Sequence, residues 1–387
     1  MSASSFEFAT AGRVIFGIGT SAQVAPLAAS LGSSVLLVTG RNAARAQPLL
    51  DSLREAGLRV SLVSLAGEPT LAEVQQGAEQ ARAMRCEVVI GFGGGAAMDA
   101  AKAIAALATN PGDPLDYLEV IGKAQPLERA PLPCIAIPTT AGSGAEVTRN
   151  AVLTSPEHRV KVSLRHALML PRIAIVDPAL CVTLPPSLTA ASGMDALTQL
   201  IEAFVSTRAN PLTDALCREA IPRAARALRR AVSHPDDLEA RSDMSLASLF
   251  SGMALANAGL GAVHGFAAPI GGTFDAPHGA VCARLLPFVF EENARLIQAR
   301  MPASPILARF TEIAQMLTGR AQASVEEGIA WLHALVRDLP IPPLSAYGMR
   351  VEDVPMLAER AAQANSMRSN PIALAQEDRV RMLMRAL

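Results

Sequence analysis

The first half of the chain alternates short apolar, β-branched runs with stretches whose apolar residues recur every three or four positions. Near-continuous apolar runs predict strands of a parallel sheet that is covered on both faces. These runs occupy residues 33–40, 58–65, 86–95, 132–140, 159–165 and 172–177. The intervening stretches 46–58 and 71–85 have helical periodicity. The alternation therefore predicts an α/β domain.

The pattern changes after residues 182–193, where strand-like runs nearly disappear. Long helical stretches rich in Ala, Leu and Arg follow, for example 211–232 and 326–339. The double proline at 185–186 is a natural boundary, because proline interrupts regular backbone hydrogen bonding. We predict an α/β domain over residues 1–186 and an all-helical domain over 187–387, with the functional site in the cleft between them.

One stretch, residues 244–274, contains no Asp, Glu, Lys or Arg. Its length would allow it to cross a bilayer. It is built mainly from Ala and Gly, however, and it contains Asn257 and His264. A tightly packed helix buried within the helical domain fits this composition better than a membrane span.

The amino-acid composition of the chain limits the classes of function to be considered. The chain has 387 residues, half of them hydrophobic, and a formal net charge of −1. This balance gives no electrostatic reason to expect a nucleic acid or an anionic membrane as partner. The five cysteines are scattered and odd in number, which predicts reduced, mostly buried thiols. With no signal peptide apparent at the N-terminus, we expect a cytoplasmic protein with a small-molecule substrate.

Residues 88–105 read as a strand, a glycine turn and a helix. Gly91, Gly93 and Ala96 satisfy G-x-G-x-x-A, and Gly94 and Gly95 leave the backbone bare. Such a turn lets backbone N–H groups approach a diphosphate at the positive end of the helix. Glycine turns between strand and helix also occur for purely steric reasons, so this motif alone leaves both interpretations open.

A second loop, residues 137–148, also follows a strand and carries the hydroxyls of Thr139, Thr140 and Ser143. Only three of the 34 basic residues are lysines, and two of them, Lys102 and Lys161, lie in or near these motifs. Lysine is a compact charge with three donors. Their placement suggests that these motifs need a compact positive charge, although chance would also explain it.

Five ordered motifs together resemble the iron-containing (group III) alcohol dehydrogenase family. They are "GFGGGAAMDAAK", "PTTAGSGAEVT", "AIVDPALCVTLPP", "GMDALTQLIEAF" and "VHGFAAPIGGTFDAPHG". The resemblance implies a Rossmann-like dinucleotide-binding domain followed by a helical domain, the dehydroquinate synthase-like fold. It also implies NAD(P), a divalent metal, interconversion of alcohols with aldehydes or ketones, and a homodimer.

The resemblance also implies roles for individual residues. It places the pyrophosphate on Gly93, Gly94, Gly95 and Ala96, with Asp99 and Lys102 behind that loop. It places Thr139, Thr140, Ser143 and Lys161 around the adenine, ribose and nicotinamide, with Lys161 also among the catalytic residues. The metal ligands fall on Asp195, Gln199, His264 and His278. Asp195 and Gln199 share a helical face, and the Gly- and Pro-rich spacer would turn the chain back between the two histidines.

Three positions depart from the family pattern. Gln199 replaces a histidine, and an amide oxygen is a poor ligand for Fe²⁺ or Zn²⁺, so we expect a weaker site with three good ligands, Asp195, His264 and His278. Ala268 replaces a histidine thought to relay the alcohol proton. Gly40, followed by Arg41 and Arg45, replaces an acidic residue typical of NAD-preferring members, which favours NADP(H) or dual use.

The favoured hypothesis is reversible hydride transfer, with the metal ion acting as a Lewis acid on the substrate oxygen. Two alternatives remain open at this point. One is a metal-independent reductase resembling the maleylacetate reductases, in which His264 and His278 bind a substrate carboxylate; retention of Asp195 argues against it. The other is a non-catalytic relative that binds a dinucleotide as a sensor.

Overall fold

The computed structural model of the protein describes residues 5–119, 121–158 and 160–387. It separates into two compact units. The α/β unit comprises Thr10–Thr140 and Gly144–Cys181, and the helical unit comprises residues 5–9, Ala141–Ser143 and Val182–Leu387. Pro186, the boundary expected from the sequence, is the first residue of a helix in the second unit. The predicted fold class, a parallel-sheet domain followed by a helical domain, is confirmed.

The α/β unit contains one parallel sheet of six strands among the described residues, in the order β1-β8-β5-β4-β2-β3. These strands are β1 (Val14–Phe16), β2 (Ser34–Thr39), β3 (Arg59–Ser64), β4 (Val88–Gly93), β5 (Cys134–Pro138) and β8 (Ile173–Val176). The helices of this unit are α1 (Val24–Ala29), α2 (Gln47–Glu55), α3 (Leu71–Ala83), α4 (Gly95–Thr109) and α5 (Pro114–Tyr117).

The sheet is covered on both faces, as its continuous apolar strands require. Val35 and Leu37 of β2 pack with α1 and α2, whereas Leu36 and Val38 pack with α3 and α4. The chain winds from β2 outward to β3 and returns to β4 on the other side of β2. The crevice between the ends of β2 and β4 is therefore a topological switch point, where open α/β sheets bind ligands.

The prediction for residues 159–165 was wrong in one respect. Position 159 lies outside the described residues, and β7 (Val160–Arg165) pairs antiparallel with β6 (Asn150–Ser155) as a separate two-stranded sheet. The strand β6 was not predicted. The sequence of β7 alternates polar and apolar residues, and it buries alternate side chains. This pattern is typical of a half-exposed antiparallel pair, not of a strand in the centre of a parallel sheet.

The helical unit contains nine α-helices among its described residues. They are α6 (Pro186–Val205), α7 (Pro211–Ser233), α8 (Leu238–Ala258), α9 (Ala262–Phe274), α10 (His278–Arg300), α11 (Ile306–Thr318), α12 (Val325–Asp338), α13 (Val354–Ala362) and α14 (Gln376–Ala386). Their apolar faces form one continuous hydrophobic cluster, in which α6 and α10 are largely buried.

The charge-free stretch 244–274 forms two helices where the sequence suggested one. Helices α8 and α9 meet at a bend of 101°. Gly259 ends α8 with φ +72°, a conformation that favours glycine. In the described ranges, no single helix has the length and hydropathy needed to cross a membrane, while this bent pair reaches both limits when its two helices are taken together.

The spacer between His264 and His278 also differs from the expected glycine-broken turn. Helix α9 runs through most of it and includes Pro269. The reversal occupies residues 275–277, where Asp275 adopts φ +49°, and α10 begins directly at His278. The two histidines therefore lie at the start of two successive helices, with α9 itself forming the spacer.

Helices α6 and α10 approach each other closely at the start of α10. A Cβ atom on Gly279 would lie 2.1 Å from the backbone carbonyl oxygen of Ala191. Carbonyl oxygens in a buried helix cannot move independently of that helix. Only glycine at position 279 therefore permits this spacing of the two helices.

We predict that Gly279→Ala destabilises the helical unit by at least about 1–3 kcal/mol, the usual cost of overpacking. The matched control is Gly272→Ala in α9, where an added Cβ meets no atom within 4 Å. Urea unfolding followed by the fluorescence of Trp331, the single tryptophan, reports on this unit. Equal midpoints for the two variants would contradict the close approach.

Candidate functional site

The glycine motif and the hydroxyl loop lie side by side at the carboxyl ends of β4 and β5. The N–H of Thr139 donates to the carbonyl of Gly93 at 2.8 Å. A Cβ atom on Gly94 would lie 3.5 Å from the side chain of Thr140, and one on Gly93 would lie 3.5 Å from the backbone N of Gly40. The structure thus brings together predicted cofactor-binding residues that follow three neighbouring strands.

The backbone at the start of α4 is suited to an anion. Gly93 adopts φ +155°, and a Cβ there would lie 2.8 Å from the Cβ of Ala97. Gly94 is the N-cap residue and has no side chain to cap the first N–H groups of Gly95 and Ala96. Uncapped N–H groups at the positive end of a fifteen-residue helix could hold a phosphate group.

Lys102 and Asp99 are internal supports of this region. The fully buried Nζ of Lys102 donates to the carbonyls of Ala145 and Asn150 at 2.9 and 2.5 Å and to Thr148 Oγ1 at 3.1 Å, and it pairs with Asp99 at 2.9 Å. These four oxygens surround the ammonium group, which has only three hydrogens to donate. The point charge suggested by the sequence is therefore needed to hold α4 to the following loop and β6, and it is not presented to a nucleotide.

Two other predicted residues have partners of their own. Lys161 on β7 forms an ion pair with Glu68 at 2.6 Å within the α/β unit. Ser143 belongs to the helical unit, where its carbonyl accepts the amide of Gln199 at 3.5 Å.

A cluster of polar side chains lies inside the helical unit. Asp195 lies in the middle of α6, His264 in the first turn of α9, and His278 at the first position of α10. Asp195 Oδ1 is 3.3 Å from His264 Nε2 and 3.7 Å from His278 Nε2. With the sulfur of Cys282, these ligand atoms all lie within 4.8 Å of one another.

Glu202, which the sequence did not single out, orients His264. Its carboxylate accepts His264 Nδ1–H at 2.7 Å and the backbone N–H of Val263 at 2.6 Å. Because Nδ1 donates to Glu202, Nε2 is directed at Asp195 and is the ring nitrogen that could bind a metal ion. A carboxylate behind an imidazole is the usual support of a metal-binding histidine.

Gln199 occupies the expected face of α6 but does not present an oxygen to the cluster. Its Oε1 accepts the hydroxyl of Ser251 at 2.8 Å. Its amide hydrogens face the carbonyl of Ser143 and the carboxylate of Asp195. Gln199 is therefore placed as a support for Asp195, which differs from its predicted role as a ligand.

The electrostatics of the cluster favour a bound cation. The negative charge of Cys282 and then of Asp195, opposed by burial, raises the pKa of His278 to about 9. Burial alone would lower the pKa of His264, but the charge of Cys282 and the hydrogen bond to Asp195 raise it well above its usual value. Burial alone would raise the pKa of Asp195, but the two imidazoles outweigh burial and lower it. With raised pKa values on the two histidines, protons and a metal ion compete for the same ring nitrogens.

The donor set fits a divalent transition metal. It offers one buried carboxylate, two imidazole nitrogens and one sulfur within a few ångströms, and such mixed sets bind ions of the Fe²⁺ to Zn²⁺ range.

Comparisons with known proteins extend over nearly the whole chain. A family described as iron-containing alcohol dehydrogenase matches residues 11–178, and the C-terminal domain of the Fe-containing alcohol dehydrogenase family matches residues 189–387. The chain belongs to the iron-containing alcohol dehydrogenase family. As a member it is an NAD(P)-dependent oxidoreductase that interconverts alcohols with aldehydes or ketones, and the family implies a divalent metal.

Curated relatives and solved structures of this family agree. The chain is 38% identical over 352 residues to 1,3-propanediol dehydrogenase of Klebsiella pneumoniae, with 88% of each chain covered. It is 38% identical to alcohol dehydrogenase 4 of Saccharomyces cerevisiae, strain YJM789, with 86% of this chain and 85% of the relative covered. A crystal structure of 1,3-propanediol oxidoreductase superposes with a TM-score of 0.91 at 35% identity, covering 99% of this chain and 100% of the other.

The two residues that sequence reasoning missed, Glu202 and Cys282, follow helical spacing. Glu202 is seven positions after Asp195 on α6, and Cys282 is four positions after His278 on α10. Residues at these spacings share a helix face. That spacing was available in the sequence once the helix boundaries were known.

We predict that Glu202→Gln lowers affinity for a divalent metal by about 10–100-fold, because one acceptor oxygen is replaced by a donor facing an N–H group. The control is Glu291→Gln on α10, whose carboxylate pairs with Arg385 at 2.7 Å. Competition of the purified proteins with a chelator for Zn²⁺ measures the affinity. Identical affinities for wild type and Glu202→Gln would show that Glu202 does not orient a ligand.

Proposed function

We propose that the protein reversibly oxidises a short alcohol to its aldehyde or ketone, with Asp195, His264 and His278 holding the divalent ion, Fe²⁺ or Zn²⁺. The observation that carries this proposal is the convergence of these three side chains, from three different helices, on one point, where Asp195 is buried and His278 is exposed to solvent. The relatives named for 1,3-propanediol and other alcohols support the substrate class. A homodimer, which the family resemblance implies, is part of the proposal.

The residues of the cluster have different roles in the proposed site. Asp195 supplies negative charge from a buried carboxylate, and Glu202 keeps the Nε2 lone pair of His264 directed at the same point. When bound, a divalent ion supplies Lewis acidity that lowers the pKa of an alcohol hydroxyl, and a nicotinamide supplies the hydride acceptor. The protein's contribution is to fix the donor atoms before substrate arrives.

The α/β unit provides the dinucleotide site in this proposal. The N–H groups of Gly95 and Ala96 bind the diphosphate, and Thr139 and Thr140 offer hydroxyls beside them. Lys102 and Asp99 act indirectly by holding the start of β6 and the preceding loop against α4.

The alcohol proton needs a path that does not use residue 268. Ala268 lies one turn after His264 on α9 and is exposed. Its methyl group carries no proton to exchange. We therefore assign proton release to water or to the ribose hydroxyls of the nicotinamide.

The dinucleotide preference is assigned to NADP(H) because of the residues after β2. Gly40 carries no carboxylate that would repel a 2′-phosphate. Arg41 is exposed, and its Nε donates to the carbonyl of Ala66 at 2.8 Å, the one hydrogen bond of its guanidinium group within the described residues. Arg45 donates to the carbonyl of Leu180 at 2.7 Å and is held in place by it. Arg41 is therefore the residue proposed to pair with the phosphate.

We predict that His264→Ala lowers kcat for alcohol oxidation by on the order of 10²-fold or more, because a fixed charge-stabilising arrangement is lost. The matched control, His234→Ala, removes an exposed histidine at the end of α7. Reduction of NAD⁺ or NADP⁺ with a panel of short alcohols, including 1,3-propanediol, measures the rate.

Treatment with EDTA before the same assay separates the alternatives. Loss of activity and its recovery with Zn²⁺ or Fe²⁺ support the proposal. Full activity after chelation identifies a metal-independent reductase, and dinucleotide binding without turnover of any alcohol or aldehyde identifies a sensor.

We predict that Arg41→Ala lowers kcat/KM for NADPH by about tenfold or more and leaves the value for NADH nearly unchanged, since only the 2′-phosphate loses a charge-assisted bond. Arg54→Ala, which removes an exposed arginine of α2, is the control. Steady-state kinetics with both cofactors test this, and an equal effect on both would remove Arg41 from phosphate recognition.

A further inference from the structure

We propose that Cys282 is a fourth protein ligand of the divalent ion, so that the centre is formed by Asp195, His264, His278 and a thiolate at position 282. This inference rests on the proposed function, because it requires that the first three residues hold the ion. The metal–sulfur bond forms from the thiolate, and the protons that the thiol and the Nε2 atoms of the two imidazoles carry without the ion are released to solvent when it binds.

The distances around the sulfur carry the proposal. Cys282 Sγ lies 3.7 Å from His278 Nε2 and 3.9 Å from His264 Nε2. In a tetrahedral site, metal bonds of about 2.1 Å to nitrogen and about 2.3 Å to sulfur place these atoms about 3.6 Å apart. The same geometry places nitrogen and oxygen about 3.4 Å apart, and Asp195 Oδ1 lies 3.3 and 3.7 Å from the two nitrogens. The sulfur therefore stands at ligand spacing from both imidazoles.

The start of α10 explains why the sulfur is there. His278 is the first residue of this helix and Cys282 follows one turn later. Side chains of a helix lean toward its N-terminus, so the side chain of Cys282 is directed back toward His278. Cys282 is fully buried, and the close approach at Gly279 holds this turn against α6.

Gln199 leaves the fourth position to another group. Its oxygen is bound to the hydroxyl of Ser251, and its amide hydrogens face Asp195 and Ser143. A ligand would have to present a lone pair to the ion, and Gln199 presents hydrogens to the carboxylate that holds it. Cys282 offers the remaining soft, ionisable donor in the cluster.

A thiolate ligand changes which metal ions the site prefers and the net charge of the bound centre. Thiolate is a soft donor that favours Zn²⁺ and Co²⁺ over harder ions such as Mg²⁺ and Mn²⁺. With one carboxylate and one thiolate, a divalent centre has a net charge of zero, whereas a carboxylate with only neutral ligands leaves +1. The consequence is a centre that retains zinc more firmly and attracts a developing alkoxide less strongly.

The test uses the full-length protein, stripped of metal and loaded with one equivalent of Co²⁺. A cobalt–thiolate bond gives an intense near-ultraviolet charge-transfer band that imidazole and carboxylate ligands do not give. We expect the band in the wild type and its loss in Cys282→Ser, with affinity for Co²⁺ lowered by about tenfold or more. The control, Cys86→Ser, removes a buried thiol of the α/β unit and should keep the band.

The outcomes separate this inference from the proposed function. Stoichiometric Co²⁺ binding without the band overturns the role of Cys282 and leaves the three-ligand site intact. Failure to bind Co²⁺ or Zn²⁺ at all overturns both. If Cys282→Ser does not fold, zinc X-ray absorption on the wild type decides the matter: one sulfur at about 2.3 Å supports the ligand and only nitrogen and oxygen neighbours refute it.

Discussion

The polar cluster of the helical unit depends on the contact between Glu202 and the first turn of α9. A buried carboxylate is costly unless it is hydrogen-bonded, and Glu202 receives two backbone N–H groups and an imidazole N–H from this one turn. The contact satisfies donors at a helix start that would otherwise be orphaned. It also fixes where α9 begins on α6, and hence where His264 lies relative to Asp195.

The two units use helix starts for opposite purposes. In the α/β unit, glycine at the start of α4 leaves the first N–H groups without a capping side chain. In the helical unit, the protein fills the start of α9 with its own carboxylate and places a histidine at the first position of α10. In the proposed function, the first helix start binds an anionic ligand, and the others organise a site for a cation.

Much of the fold could be predicted from local pattern, because burial on both faces gives parallel strands their continuous apolar runs. The strands β2, β4 and β5 were predicted from such apolar runs, and the helices α3 and α7 from their helical periodicity. Antiparallel pairing of β6 with β7 was not predictable in the same way, since β6 mixes polar and apolar residues and pairing depends on a partner elsewhere in the chain. The helical spacer α9 was missed because its glycines and Pro269 disfavour a helix, and tertiary packing overrides that preference.

The candidate site, too, was only partly predictable from the sequence. Asp195, His264 and His278 were found through the resemblance and do lie together. The sequence alone did not reveal the roles of Glu202 and Cys282 or the orientation of Gln199. These follow from which helix faces meet, and that cannot be read from the sequence without the helix boundaries. Lys102 was singled out for its rarity, but whether a lysine faces a ligand or three backbone and side-chain oxygens is decided only by the loop that folds over it.

The burial of Lys102 has a practical consequence for handling the enzyme. Of the three lysines, only Lys123 and Lys161 have solvent-exposed side chains, and both lie in the α/β unit. Amine-reactive dyes, crosslinkers and coupling resins therefore have side-chain targets on that unit alone. The helical unit has no lysine, so such reagents find no side-chain amine there, and attachment through lysine side chains tethers the enzyme by its α/β unit.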